Sequence, residues 1–205
     1  MEPENISREQ SLEIIETMIN RAKNQFSENG TLYLLWGWWV FACSLIEFGL
    51  LKFFNYANHW QVWWTVIFVL MFQVFYLRKR RKQIRVRTYT HEIIGFVWIT
   101  FFVLMVLAVF LISRFNDPQA ASLIDPFFLA LYGMPTFLSG IILKFRPLIF
   151  GGICCWILSI ICSFISPEYH LLMLPVAMIV AWIIPGYLLR IKYKSTNRIG
   201  VVQTV

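Results

Sequence analysis

The sequence predicts an all-α, polytopic membrane protein: a six-transmembrane-helix bundle with an N-terminal amphipathic helix on its cytoplasmic or interfacial side. Three observations carry that expectation. Six apolar runs, at residues 31–54, 60–77, 93–112, 126–143, 147–165 and 171–189, each approach the roughly 20 residues a helix needs to cross a hydrocarbon core. Hydrophobic residues make up 59% of the 205-residue chain and charged ones only 14%. A soluble domain is about half apolar and about a quarter charged. Lastly, the basic residues are concentrated beside the runs. Seven of the ten residues at 78–87 are basic: Arg78, Lys79, Arg80, Arg81, Lys82, Arg85 and Arg87.

The bulk charge excludes less than it first promises. A net charge of +7 resembles that of a nucleic-acid binder. Here Lys and Arg stand against apolar runs, where membrane orientation and anionic headgroups already account for them, so no nucleic-acid partner is expected. Cys43, Cys154, Cys155 and Cys162 all lie within apolar runs without CxxC spacing and read as packing residues. Residues 1–30 contain Glu2, Glu4, Glu9, Glu13, Glu16 and Glu28. They lack the continuous apolar core of a cleavable signal, so the first span is expected to direct insertion.

Ser7-Arg8-Glu9-Gln10 matches a capping box, and Asn29-Gly30 supplies a stop, since glycine tolerates the left-handed backbone of a helix end. Between them Leu12, Ile15, Ile19, Ala22 and Phe26 recur at 3-4-3-4 spacing, the stripe of an amphipathic helix. Residues 7–28 hold three basic and four acidic side chains, which argues against docking on anionic lipid. The apolar face is left to pack on its own bundle, at the interface plane, or on a partner protein.

The first span opens Leu34-Leu35-Trp36-Gly37-Trp38-Trp39, an aromatic cluster suited to the headgroup boundary. The second carries Gln73, read as an interhelical hydrogen bond worth about 1 kcal/mol or less, and is expected to continue as helix into the basic stretch. Asn116-Asp117-Pro118-Gln119 reads as a cap with proline at the first helical position of a short external helix over 118–124. Pro135, Pro175 and Pro185 lie inside the fourth and sixth spans, where proline kinks or unwinds a helix. Only Lys144-Phe145-Arg146 separates spans four and five, making them antiparallel neighbours. In span five Gly151, Cys155, Ser159 and Ser163 form a small-residue stripe for close helix approach, within one subunit or between copies of a homo-oligomer. Residues 191–205 read as a short, basic, frayed cytoplasmic tail.

With residues 78–87 held inside, alternation puts sixteen of the eighteen Lys and Arg on the cytoplasmic side and leaves only Lys52 and Arg114 opposite. Both termini are therefore expected in the cytoplasm.

Chemistry-bearing residues are few. Glu47 is the only acid well inside a span; a charge at that depth is a functional candidate by default. Lys52, Arg114 or His59 offer it a structural pairing. His59, His170, Asp117, Asp125 and Glu168 gather on the outer side, but their spacing matches no ligand signature. No metal or cofactor is expected, and no catalytic motif is present. Trp36-Gly37, Phe41 and Ile46 align with Tyr132-Gly133, Phe137 and Ile142, the pattern an inverted three-span repeat would leave.

The amphipathic helix running into Leu34-Leu35-Trp36-Gly37-Trp38, with the Leu143-Lys144-Phe145-Arg146-Pro147 hairpin, resembles a group of small uncharacterised six-span bacterial membrane proteins. The resemblance implies a bacterial inner membrane and no particular activity. The function expected from the residues is that of a non-enzymatic membrane subunit or signalling partner acting through protein–protein contacts. The alternative is a small-solute or ion transporter or channel with Glu47 and Gln73 on its route.

Overall fold

The computed structural model describes residues 29–54, 56, 58–83, 89–115 and 122–202. The amphipathic stripe at Leu12–Phe26, residues Arg85 and Arg87, and Asn116 to Pro118 lie outside the described residues. Every element among the described residues is helical. In order they are α1 (Thr31–Lys52), a 3-10 segment (His59–Thr65), α2 (Val66–Gln83), α3 (Tyr89–Phe115), α4 (Ile124–Ile142), α5 (Arg146–Ser163), a 3-10 turn (Pro167–Tyr169), α6 (His170–Met178), a π segment (Ile179–Ile183) and α7 (Ile184–Val202). Among the described residues six stretches are long and apolar enough to cross a membrane: Thr31–Lys52, His59–Lys79, Glu92–Arg114, Ile124–Ile142, Arg146–Ser163 and His170–Ser195. The chain is a multi-pass helical membrane protein. The basic C-terminal end of α2 marks one end of the bundle, and the opposite end is called distal below.

Span six is the axis of the core. Of its apolar window 56% is buried, against none of span two and 17% of span three. The π segment turns Trp182 fully inward, where its indole donates to Thr136 Oγ1 at 2.7 Å and meets the rings of Trp98 and Tyr132. The Thr136 hydroxyl passes the bond on to the Tyr132 carbonyl. A β-carbon on Gly151 would stand 2.7 Å from Ala181 Cα, so span five approaches the π segment backbone to backbone, as small residues permit in lipid. Span three touches the core along Ile94, Trp98, Phe101 and Met105, and the buried Ala108 continues the 4-3-4-3 spacing on one face of the helix.

The span four–five hairpin is closed by local backbone chemistry. Phe145 N–H donates to the Gly140 carbonyl and Lys144 N–H to that of Ile141, the two bonds of a Schellman cap. Lys144 holds the left-handed position at φ 49, where glycine would be unstrained, and Pro147 opens the next helix. Gly30 is also left-handed, at φ 69, directly before α1. A β-carbon there would lie within 3 Å of the Gly186 carbonyl, so both conformation and space demand glycine.

Prolines show most clearly how the sequence copes with lipid. Pro175 has no N–H for the carbonyl four residues back, that of Leu171. Ser44 of α1, fully buried, donates its hydroxyl to that carbonyl at 2.5 Å. A neighbouring helix thus repairs the bond the proline removes. Ahead of Pro185 the ladder shifts to π spacing, with Ile184 N–H bonding Ile179 O. Pro135, by contrast, sits in an uninterrupted α-helix, and its expected unwinding is absent from the described residues.

Several boundaries differ from expectation for physical reasons. Span two begins as a seven-residue 3-10 run rather than an α-helix, and Thr65 turns its hydroxyl back onto the Val62 carbonyl. It continues helically into the basic stretch as far as Gln83, as the sequence predicts. From Arg190 to Val202 the chain is helical rather than frayed, as the continuation of α7, in which no proline follows Pro185. The aromatic cluster of span one is only partly a boundary belt. Trp36 is buried against Phe102 with its indole bonded to Gln73, while Trp38 is exposed. Spans four and five lie against each other along their length, whereas span two touches span one along one narrow stripe, so the two halves pack differently.

The proline repair is directly testable. Ser44→Ala should lower stability by roughly 1 kcal/mol, the scale of interhelical hydrogen bonds in membranes, in detergent-mixture unfolding. In a Pro175→Ala background, where the new N–H takes the Leu171 carbonyl, the same change should cost less than half as much.

Candidate functional site

Besides the Trp182–Thr136 bond of the core, polar side chains in the described spans form a ladder between spans one and two and a cluster at the distal end. From the basic end, Asn29 Nδ2 donates to Tyr76 Oη at 2.8 Å and Trp36 Nε1 to Gln73 Oε1 at 2.7 Å. Further along, Trp39 Nε1 donates to Thr65 Oγ1 at 3.0 Å. Because Thr65 gives its own proton to Val62 O, the Cys43 thiol, 3.6 Å away, is the donor in that contact. Among the described side chains of α2, Val66, Val69, Gln73, Tyr76 and Leu77 are half-buried, the first four spaced 3-4-3 with Leu77 beside Tyr76, so a single face of span two meets span one.

Glu47 closes the ladder at its distal end. It is 5% exposed, with Oε1 2.8 Å from His59 Nδ1 and Oε2 accepting the Trp63 indole N–H at 2.6 Å. Both oxygens are thus engaged by residues of the 3-10 segment, His59 and Trp63. An ionised Glu47 takes a proton-bearing Nδ1 as its donor, since a carboxylate only accepts. Of the three pairings the sequence offers, Lys52, Arg114 and His59, the structure brings His59 to Glu47.

One helical turn from Glu47, Ser44 reaches the residue that follows His170. Asp125, in the first turn of α4, has its Oδ2 4.0 Å from His170 Nδ1. His170 Nε2 lies 2.9 Å from the Ile165 carbonyl, which only accepts, so Nε2 carries a proton. Asp125 is close enough to both His170 and Glu47 for their charges to interact. His59, Asp125, His170 and Glu47 therefore do gather at one end, as the sequence predicts. The remaining members of the expected group, Asp117 and the side chain of Glu168, lie outside the described residues. No three His, Cys, Asp or Glu side chains among the described residues are arranged to hold a metal.

In the small-residue stripe, Gly151 and Cys155 face the chain's own core and Ser159 Oγ donates to the Pro126 carbonyl at 2.6 Å. Ser163 is exposed and bonds back to Ser159 O. Sequence reading passed over Ser44 and Trp63. A signal existed for each: Ser44 shares a face with Val40 and Glu47, and a mid-span proline requires some donor for its orphaned carbonyl. Trp63 follows His59 by four residues, but the partner of its N–H depends on a backbone geometry that periodicity does not reveal.

No known family matches the chain, nor does any curated protein or solved structure.

Glu47 and Trp63 should behave as one unit. Glu47→Leu and Trp63→Phe should each cost about 1 kcal/mol, and the double variant little more than the costlier single one. Strictly additive losses in the same unfolding assay would show that the two side chains are not coupled.

Proposed function

We propose that the chain is a non-enzymatic membrane subunit or signalling partner that works through protein–protein contacts. Its setting in this reading is a bacterial inner membrane, with both termini and the basic loop in the cytoplasm. The observation that carries it is the occupancy of Glu47: its two oxygens are spent on His59 and Trp63, so the strongest chemical candidate in the spans serves to fasten span two. Gln73 likewise accepts the Trp36 indole. Two features favour contacts as the mode of action. The helix predicted at residues 7–28 has an apolar face and almost balanced charge. Spans two and three leave long apolar faces exposed, including Phe68, Phe75, Phe96 and Phe110, which serve lipid, a membrane partner or a second copy. The resemblance to small six-span bacterial membrane proteins is consistent with this reading.

The alternative, a small-solute or ion transporter with Glu47 on its route, would require that carboxylate to give up both partners in each cycle. Photoreactive residues at Leu12, Ile15 and Phe68 in living cells separate the two readings. The partner reading predicts discrete protein adducts from Leu12 or Ile15, and loss of the same partner from the purified complex when residues 1–28 are deleted. A co-purifying set unchanged by the deletion, together with solute flux in vesicles abolished by Glu47→Gln, would replace it with the transport reading.

A further inference from the structure

Two carboxylate–imidazole pairs stand at the distal end, and they are not equivalent. Glu47 and His59 are in contact. Asp125 and His170 are not: their nearest polar atoms are 4.0 Å apart, beyond hydrogen-bond range. His170 is 4% exposed, and its Nδ1 is buried with no hydrogen-bond partner among the described residues. Its other nitrogen is committed as a donor to Ile165 O. A neutral His170 therefore aims a bare lone pair at a carboxylate that, when ionised, also only accepts. Two acceptors face each other across a gap that a single proton closes, as Nδ1–H to carboxylate or as carboxyl O–H to Nδ1.

We propose that Asp125 and His170 form a binding site for one proton, taken up from water at the distal end of the bundle, and that its uptake draws the first turns of spans four and six together. The Asp125 side chain retains 27% exposure, which provides the route of entry. The proton comes from bulk water, and no other bond is made or broken. A charge-assisted hydrogen bond spans about 2.7–2.9 Å, so closing the 4.0 Å gap moves the two helix ends by about 1 Å.

Opposing forces keep the site responsive. Asp125 lies in the first turn of α4 and His170 opens α6. Both helix N-termini favour an ionised carboxylate and disfavour an added positive charge. Against that, burial penalises an unpaired charge, and the Glu47 carboxylate of α1 adds negative potential within reach of Asp125. The other titratable groups that interact with Asp125 are neutral ones, Tyr132 of span four and Cys162 of span five. His59 is held on Glu47. The site goes beyond the partner reading and stands without it.

The test is infrared difference spectroscopy on the full chain in lipid vesicles, titrated in external pH, with isotope-labelled aspartate and histidine. The unaltered protein should show the Asp125 carboxyl band and the His170 ring bands changing together in one pH step. His170→Gln keeps a donor for the Ile165 carbonyl and removes Nδ1; it should displace the Asp125 step by about one pH unit or more, the scale on which a close charge partner acts. Asp125→Asn should displace the His170 step likewise. Two separate steps in the unaltered chain, or steps in the variants that ignore the missing partner, would overturn the proposal. Because the single coincident step is read on the unaltered protein, a variant that fails to fold does not spare it.

Discussion

In hydrocarbon no water is present to satisfy a backbone N–H or C=O, so each must find a partner within the protein. That constraint accounts for more of this structure than any single packing contact. It explains why the two prolines of span six are matched by a serine from another helix and by a change of helical pitch. It also explains why the π segment precedes Pro185: shifting the ladder by one residue moves the missing donor and turns Trp182 onto Thr136. The core then assembles around that side chain, with Trp98, Tyr132 and the close approach of Gly151 completing it.

The same constraint divides the bundle into two classes of span. Spans one, four, five and six bury substantial parts of their apolar windows, while spans two and three bury little. Span three is attached through one heptad-like seam of aromatic and aliphatic residues. Span two adds to the packing of Trp63, Val66 and Val69 a series of polar contacts at Tyr76, Gln73, Thr65, Trp63 and His59, all with partners on α1 or just before it. Individually such bonds are worth about 1 kcal/mol or less in membranes, so the attachment depends on their acting in series. A span held this way presents most of its circumference outward, which suits a surface that meets other molecules.

The bundle and its span order were legible because they follow from length and composition, which lipid reads directly. Six apolar runs of sufficient length have few alternatives. Details governed by single atoms were not legible. Trp36 looks like a boundary residue because tryptophan favours headgroups, but Gln73 lies opposite it and draws the indole inward. The 3-10 start of span two has the same composition as an α-helix, so neither composition nor periodicity distinguishes it. Glu47 itself was found by the rule that buried charge is rarely idle. Its partners required three-dimensional placement, since Lys52, Arg114 and His59 satisfied the sequence equally. The pairing of Asp125 with His170 crosses 45 residues and two helices, and no periodicity encodes it.

A nitroxide scan along span two in lipid vesicles measures most directly whether one polar stripe attaches this helix while lipid surrounds the rest. Oxygen collisions should be frequent and collisions with a water-soluble metal complex rare at Phe68, Met71, Phe72 and Phe75. Oxygen access should dip at Val69, Gln73 and Tyr76, with the repeat of about 3.6 residues that a helix imposes. Equal access of the water-soluble complex to Phe68 and Phe75, or an oxygen profile with no periodic dip, would contradict the account.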